Sequence, residues 1–174
     1  AFNEVDCKEL YYYLRGEKEK YETAEVKVNT DKEGETYYEM LLKPREVAIS
    51  KNTDLAKVFN IKEIYFDLNK SDIRPDAAVE LAKIVEVMKE YPKMKIDIRS
   101  HTDSRASDAY NLALSDRRAK STLEWIVKQG IERKRLTAKG YGETRLVNGC
   151  SNGVPCTEEE HQANRRSEFI IVQF

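Results

Sequence analysis

MKIDIRSHTDSRASDAYNLALSDRRAKSTLEWIVKQG, residues 94–130, passes from a period of two to a period of three to four. MKIDIRS alternates apolar and polar side chains, as a strand with one face on a core should. Ser107 can cap the helix that follows, Leu112, Ala119, Leu123 and Ile126 form its expected core stripe, and Gly130 closes it from a left-handed position. A strand feeding directly into a long amphipathic helix is the repeating element of an α/β domain.

The same alternation extends in both directions. Upstream, IKEIYFDL (61–68) is apolar, β-branched and aromatic and reads as a buried strand ending in a turn at Asn69 to Asp72. Pro75 suits a first helical position and Asp76 the positive end of a helix dipole; Ala78, Leu81, Ala82, Val85 and Met88 then recur at helical spacing, so a helix is expected over about 75–90. Pro92 stops it. Downstream, RLTAKGY (135–141) reads as a third strand. Thr157 and Glu160 form a capping box that opens a short helix, and SEFIIVQF (167–174) is a last, strongly apolar strand.

Residues 1 to about 55 differ in kind. AEVKVNT and ETYYEMLLKP read as two strands of a hairpin around Asp31 to Gly34, preceded by an aromatic cluster at Tyr11 to Tyr13 and followed by a polar linker near SKNTD. So few aliphatic residues bury a small core at best, which suggests a small β module or the tail of a larger one. The chain starts at Ala1 rather than Met and reads as a processed or excised piece.

With 40% apolar and 35% charged residues the composition is globular. A formal charge of -1 leaves no overall field to gather phosphate backbones, so nucleic acid is not an expected partner. No apolar run approaches the roughly 18 residues needed to span a bilayer. Cys150 and Cys156 lie in a Gly-, Asn- and Pro-rich loop where the chain can fold back, so they are a disulfide in an oxidising compartment or otherwise free thiols. A zinc site would have to add His161 and Cys7, and five intervening residues exceed the usual two to four between paired cysteine ligands.

The quoted stretch also gathers chemistry. His101 and Asp103 sit two apart at a strand end, while Asn111, Leu114 or Ser115, and Arg118 follow i, i+3 or i+4, i+7 along one helix, a polar row beside the core stripe that leaves Arg117 for solvent. Asp103 and Arg118 could touch as an internal salt bridge. Held apart, they would instead suit a zwitterion, the carboxylate accepting from an ammonium and the guanidinium holding a carboxylate bidentately. A hydrolase is less well supported, because neither Ser104 nor Ser107 stands in a G-x-S-x-G elbow, and His101 alone reads as a structural histidine. No third ligand makes His101 and Asp103 a metal site, and Gly140 and Gly142 lack the length and lysine of a phosphate loop.

HTD, then YN-x-x-LS-x-x-RA, then GYGE and NRRSEF, in this order from about Ile61 to Phe174, resemble the OmpA-like C-terminal domain family. The resemblance implies an α/β fold of βαβαβ type, a sandwich whose mixed sheet is covered by two main helices, here preceded by a small β-rich N-terminal segment. It implies a domain over 56–174 that is no enzyme, needs no cofactor or metal, and binds peptidoglycan through the meso-diaminopimelate of its stem peptide, in the periplasm beside the outer membrane. Outer-membrane or secretion-complex proteins would be further partners. Carried over by motif, Asp103 would take the ammonium and Arg118 the carboxylate; Asn111, Thr102 and Arg165 would line the pocket, Asp67 would contribute at its edge, and Leu114 would pack on the methylenes. Ser100 and Ala106 replace glycines common in the family, and Leu146 a common proline, but the fifteen-residue spacing of the charged pair survives. The loop with Cys150 and Cys156, as a disulfide, resembles the Bacteroidetes-type version, in which residues 1–55 would be the end of a carboxypeptidase-regulatory-like β-sandwich. A structural module without ligand binding, or a cell-wall hydrolase, are the alternatives.

Overall fold

A computed structural model of the chain describes residues 11–18, 23–29, 39–43 and 49–174. The backbone falls into two compact units, Ala1–Val47 and Ala48–Phe174. Within the first, β1 (Tyr11–Gly16) pairs antiparallel with β2 (Ala24–Asn29), Tyr13 opposite Lys27. The expected hairpin is therefore shifted toward the N-terminus: AEVKVN takes as its partner the aromatic segment before it, whose tyrosines favour a strand. Glu39–Lys43, from the expected second strand, carries no strand, and the rest of that segment, the turn at Asp31 to Gly34 and Cys7 lie outside the described residues.

In the second unit the central strand is β3 (Lys95–Ser100), parallel to β4 (Leu136–Gly140) and antiparallel to β5 (Ser167–Gln173). The alternation in MKIDIRS is realised as written, with Ile96, Ile98 and Ser100 inward. α2 (Pro75–Glu90) and α3 (Asp108–Lys128) supply the rest of the core with Leu81, Ile84, Met88, Leu123 and Ile126, against Phe169 and Ile171. This is the mixed α/β architecture expected, a three-stranded mixed sheet with two main helices. α3 begins at Ser107, whose Oγ accepts from the Tyr110 amide, and Gly130 follows its end at φ +96°. The capping box at Thr157 opens α4 (Glu158–Asn164).

Three expectations need correction. IKEIYFDL forms no ladder: Ile61 and Ile64, three apart, are buried, while Tyr65 and Leu68 are exposed, a spacing that neither a buried strand nor an alternating one provides. The open edge of β5 is met instead by the segment read as a polar linker, where the Asn52 amide donates to Ile171 O at 2.7 Å and the Ile171 amide to Thr53 O at 2.9 Å. Asp54 then caps α1 (Leu55–Val58), which places Leu55 in the core. The stripe on α2 runs through Ala77, Leu81, Ile84, Val85 and Met88 rather than Ala78 and Ala82, and on α3 Leu112 is 50% exposed. The buried face of α3 includes the polar Asn111, Ser115, Arg118 and Thr122, so apolar spacing alone misplaces its centre.

β4 lies so close to α3 that only glycine fits at one crossing. A Cβ on Gly140 would overlap the Asp116 amide nitrogen and come within 2.5 Å of the Asp116 Cα. Gly142, at φ +51°, then donates its amide to Ser115 Oγ at 2.8 Å, locking the turn after β4 onto the helix.

Candidate functional site

Where β3 ends, the chain is held by backbone bonds on both sides. The His101 amide donates to Arg166 O at 2.9 Å and the Thr102 amide to Gly142 O at 3.0 Å, which leaves Asp103 at a braced strand end, 7% exposed. Its Oδ2 accepts from Arg105 Nη2 at 2.8 Å and from Arg165 Nη1 at 2.6 Å, and its Oδ1 accepts from the Arg105 amide at 3.2 Å. Burial works against the charge, yet these hydrogen bonds outweigh it and hold the carboxyl below its ordinary range.

Arg118 is also 7% exposed, but its environment is the opposite. Nε donates to Lys70 O at 2.9 Å, Nη2 donates to Asp67 O at 3.2 Å, and the guanidinium lies 4.9 Å from the centre of the Phe66 ring. No carboxylate among the described residues forms an ion pair with it. Burial without a counter-charge lowers its pKa from the ordinary value. The internal Asp103–Arg118 salt bridge is therefore not formed. Instead, the acid is shared by two other arginines and the base is left with backbone carbonyls.

A cleft of about 380 Å³ opens on Arg118, bounded by Tyr65, Phe66, Arg74, His101, Gln162 and Arg165 among others. Of the residues expected at the site, Arg118 and Arg165 line it, and Asp103 joins through its bond to Arg165. Asp67 contributes its carbonyl to Arg118, while its carboxylate faces Arg74 at 3.3 Å and Lys70 at 3.6 Å. The other three are buried and do not line the cleft. Asn111 is a strut, its Nδ2 donating to Asp103 O at 3.0 Å, Ala106 O at 3.3 Å and Glu143 Oε2 at 2.5 Å. Thr102, with a buried Oγ1 that has no partner among the described residues, and Leu114 are 4% and 5% exposed.

Spacing missed several participants. Glu158, at the start of α4, accepts from Arg105 Nη1 at 2.7 Å and Arg165 Nη2 at 2.6 Å, and Arg165 Nη2 also donates to Gln162 Oε1. Arg105 stands two residues from the acid it pairs, a proximity visible in the sequence; Glu158 and Gln162 reach the site only by folding. His101 stacks on Tyr141 with ring centres 5.4 Å apart, and its Nε2 is 3.6 Å from Glu168 Oε2. Among the described residues neither ring nitrogen has a hydrogen-bond partner closer than that carboxylate. His101 foremost, then Arg166, hold the Glu168 carboxyl down to about 2 against the opposing effect of its burial. Ser104 Oγ donates to Cys150 O at 2.6 Å and so offers no nucleophile to His101.

Cys150 and Cys156 form a disulfide. Their sulfurs are not thiolates, which removes the zinc reading with Cys7 and His161. No described helix is long and apolar enough to cross a membrane.

A family model described as the OmpA family matches residues 65–160. The Photosystem I P700 chlorophyll a apoprotein A2 of Gloeobacter violaceus is 42% identical over 113 residues, 63% of this chain and 13% of that protein. The peptidoglycan-associated lipoprotein of Brucella melitensis is 39% identical over 87 residues, 50% of this chain and 52% of that one. The chain thus spans about half or less of the length of these curated relatives. The crystal structure of the peptidoglycan-associated lipoprotein from Burkholderia pseudomallei shares the fold, with a TM-score of 0.56 at 24% identity over 63% of this chain and 89% of that chain.

Proposed function

The chain belongs to the OmpA family, and from that premise we propose that residues 56–174 form a non-catalytic module that binds peptidoglycan and tethers an envelope protein or assembly to the cell wall. The observation that carries this reading is Arg118, a buried guanidinium facing a cleft with no carboxylate of its own among the described residues. Burying a charge unpaired is costly, and the site relieves that cost when a ligand carboxylate arrives bidentately. The relative named for its association with peptidoglycan supports the class of ligand.

The ligand we favour is the meso-diaminopimelate of an uncross-linked stem. Its side-chain carboxylate pairs with Arg118, and its ammonium is taken by Asp103, in exchange with the Arg165 guanidinium that now occupies Oδ2. Asp67 carbonyl, Phe66 and Arg165 complete the wall, with Asn111, Thr102 and Leu114 acting through the loop and helix that hold the charged pair. The module works in the periplasm beside the outer membrane, in a Bacteroidetes-type version of the domain. Residues 1–55 then close a preceding carboxypeptidase-regulatory-like sandwich, and outer-membrane or secretion-complex proteins are the further partners.

Calorimetry with a diaminopimelate-containing tripeptide tests this. A single site of this kind binds at about -8 to -4 kcal/mol, micromolar to millimolar, with strength in the wall coming from many copies. The lysine-type tripeptide leaves Arg118 unpaired and binds more weakly by about 1–3 kcal/mol. Binding that is absent, or that survives both Asp103→Ala and Arg118→Ala, refutes the reading. A purely structural module is the second reading, favoured by the two arginines already on Asp103; absence of tripeptide binding selects it.

A further inference from the structure

Asp103 stands in a closed path of contacts that runs through the disulfide. The next residue, Ser104, is buried and donates to the carbonyl of buried Cys150. Cys150 is bridged to Cys156, which directly precedes Thr157, the N-cap of α4. The first residue of that helix is Glu158, which receives Arg105 and Arg165, and both arginines return to Asp103 Oδ2.

Little else holds this part of the path. Residues 151–155 are exposed and contribute nothing to the core, and their tie to α3 is the surface bond from Asn152 Nδ2 to Asp108 Oδ1 at 3.3 Å. Asn148 does brace the incoming side of the loop, accepting from Asn164 Nδ2 at 2.7 Å and donating to Glu160 O at 2.8 Å. Those bonds fix the middle and end of α4, and not its first residue. With the bridge cut, the helix keeps those bonds and its Thr157–Glu160 capping box, while the end that carries Glu158 loses its covalent tie to Cys150.

We propose that the Cys150–Cys156 bridge is a positioning element for Asp103, setting the geometry in which this carboxylate meets a ligand ammonium by fixing Ser104 on one side and Glu158 on the other. The inference rests on the diaminopimelate reading for its ligand, but the positioning itself can be read without one. With the bridge open, the arginines lose the carboxylate that orients them and the 103–106 loop loses a buried anchor. Asp103 then samples several geometries where it had one, and the site loses preorganisation.

The test compares the oxidised chain with the same chain reduced by dithiothreitol and with Cys150→Ser/Cys156→Ser. Two quantities are read: tripeptide affinity, and the titration of the Asp103 carboxyl by its ¹³C resonance. Opening the bridge weakens binding about five- to tenfold and moves the Asp103 titration upward, toward the ordinary carboxylate range. Glu158→Gln in the oxidised chain reproduces part of both changes, and reducing that variant adds little, because bridge and glutamate act along one path. A folded, reduced chain with unchanged affinity and unchanged Asp103 titration overturns the proposal. Should the cysteine variant fail to fold, Ser104→Ala and Glu158→Gln, with the bridge intact, decide it: an unmoved Asp103 titration in both overturns it. If the oxidised chain does not bind the tripeptide, the ligand reading falls, while the titration still decides the positioning role.

Discussion

Glu158 and Asp103, far apart in the chain, share the same two guanidiniums: Arg105 and Arg165 each donate to both carboxylates. A lone carboxylate and a lone guanidinium facing each other would be the simplest zwitterion site. Here the acid half is already engaged and the base half is open. On the proposed reading, a zwitterion would bind here by an exchange of cations at Asp103 and an addition at Arg118.

Arg118→Met removes a buried guanidinium that pairs with no carboxylate among the described residues. Loss of a charge-assisted bidentate pair lowers tripeptide affinity about 10- to 100-fold. Arg118→Lys does not restore it, because an ammonium cannot hold Lys70 O and Asp67 O while presenting a planar fork to the ligand. Calorimetry on the two variants checks this, and a lysine variant with wild-type affinity would contradict it.

Asn111→Ala should act on the fold before it acts on the ligand. The amide spans Asp103 O, Ala106 O and Glu143 Oε2, and its loss strands the buried Asp103 carbonyl at a cost of about 1–3 kcal/mol. Urea unfolding reads this as a lower midpoint at unchanged slope.

Glu168 makes stability depend on acid. Its carboxyl is depressed from 4.5 to about 2 in the folded chain, so the folded state binds that proton less readily than the unfolded one. The stabilisation is complete above pH 4.5 and is lost as pH falls from there through about 2. Glu168→Gln flattens this limb of the stability curve, measured by thermal unfolding from pH 6 downward. The Asp103 contribution has the same sign and survives in that variant.

Gly140→Ala forces a methyl into the backbone of α3 at Asp116. Neither backbone can yield cheaply, and the chain loses about 1–3 kcal/mol or more. Gly130→Ala, with open space around the same added carbon, costs only the strain of its φ of +96°. Paired denaturation curves of the two variants separate packing from backbone strain.

Local rules were enough to read α2, α3, α4 and the three strands of 48–174, though not the short α1. Pro75, Ser107, Gly130 and the Thr157–Glu160 box mark ends through bonds to residues at most a few positions away, and the alternation of Ile96 and Ile98 declares a face without reference to a partner. Such features are short-range in both chain and space. That Asp103 stands at a strand end and Arg118 on the helix that follows was legible too, because both positions are set by local periodicity.

The partners of those charges were not legible. Arg118 is satisfied by carbonyls 48 and 51 residues before it, and Asp103 by an arginine 62 residues after it. Which of several nearby cations wins a carboxylate depends on distances of a few ångströms and on how much water remains, neither of which a spacing rule contains. The same holds for IKEIYFDL, strand-like in composition, which forms no ladder and gives the Asp67 carbonyl to Arg118, while residues 52–54 occupy the edge of β5. Neighbour-to-neighbour chemistry thus lies open in the linear order of residues, while competition among distant groups for one donor, one edge or one charge is resolved by packing alone.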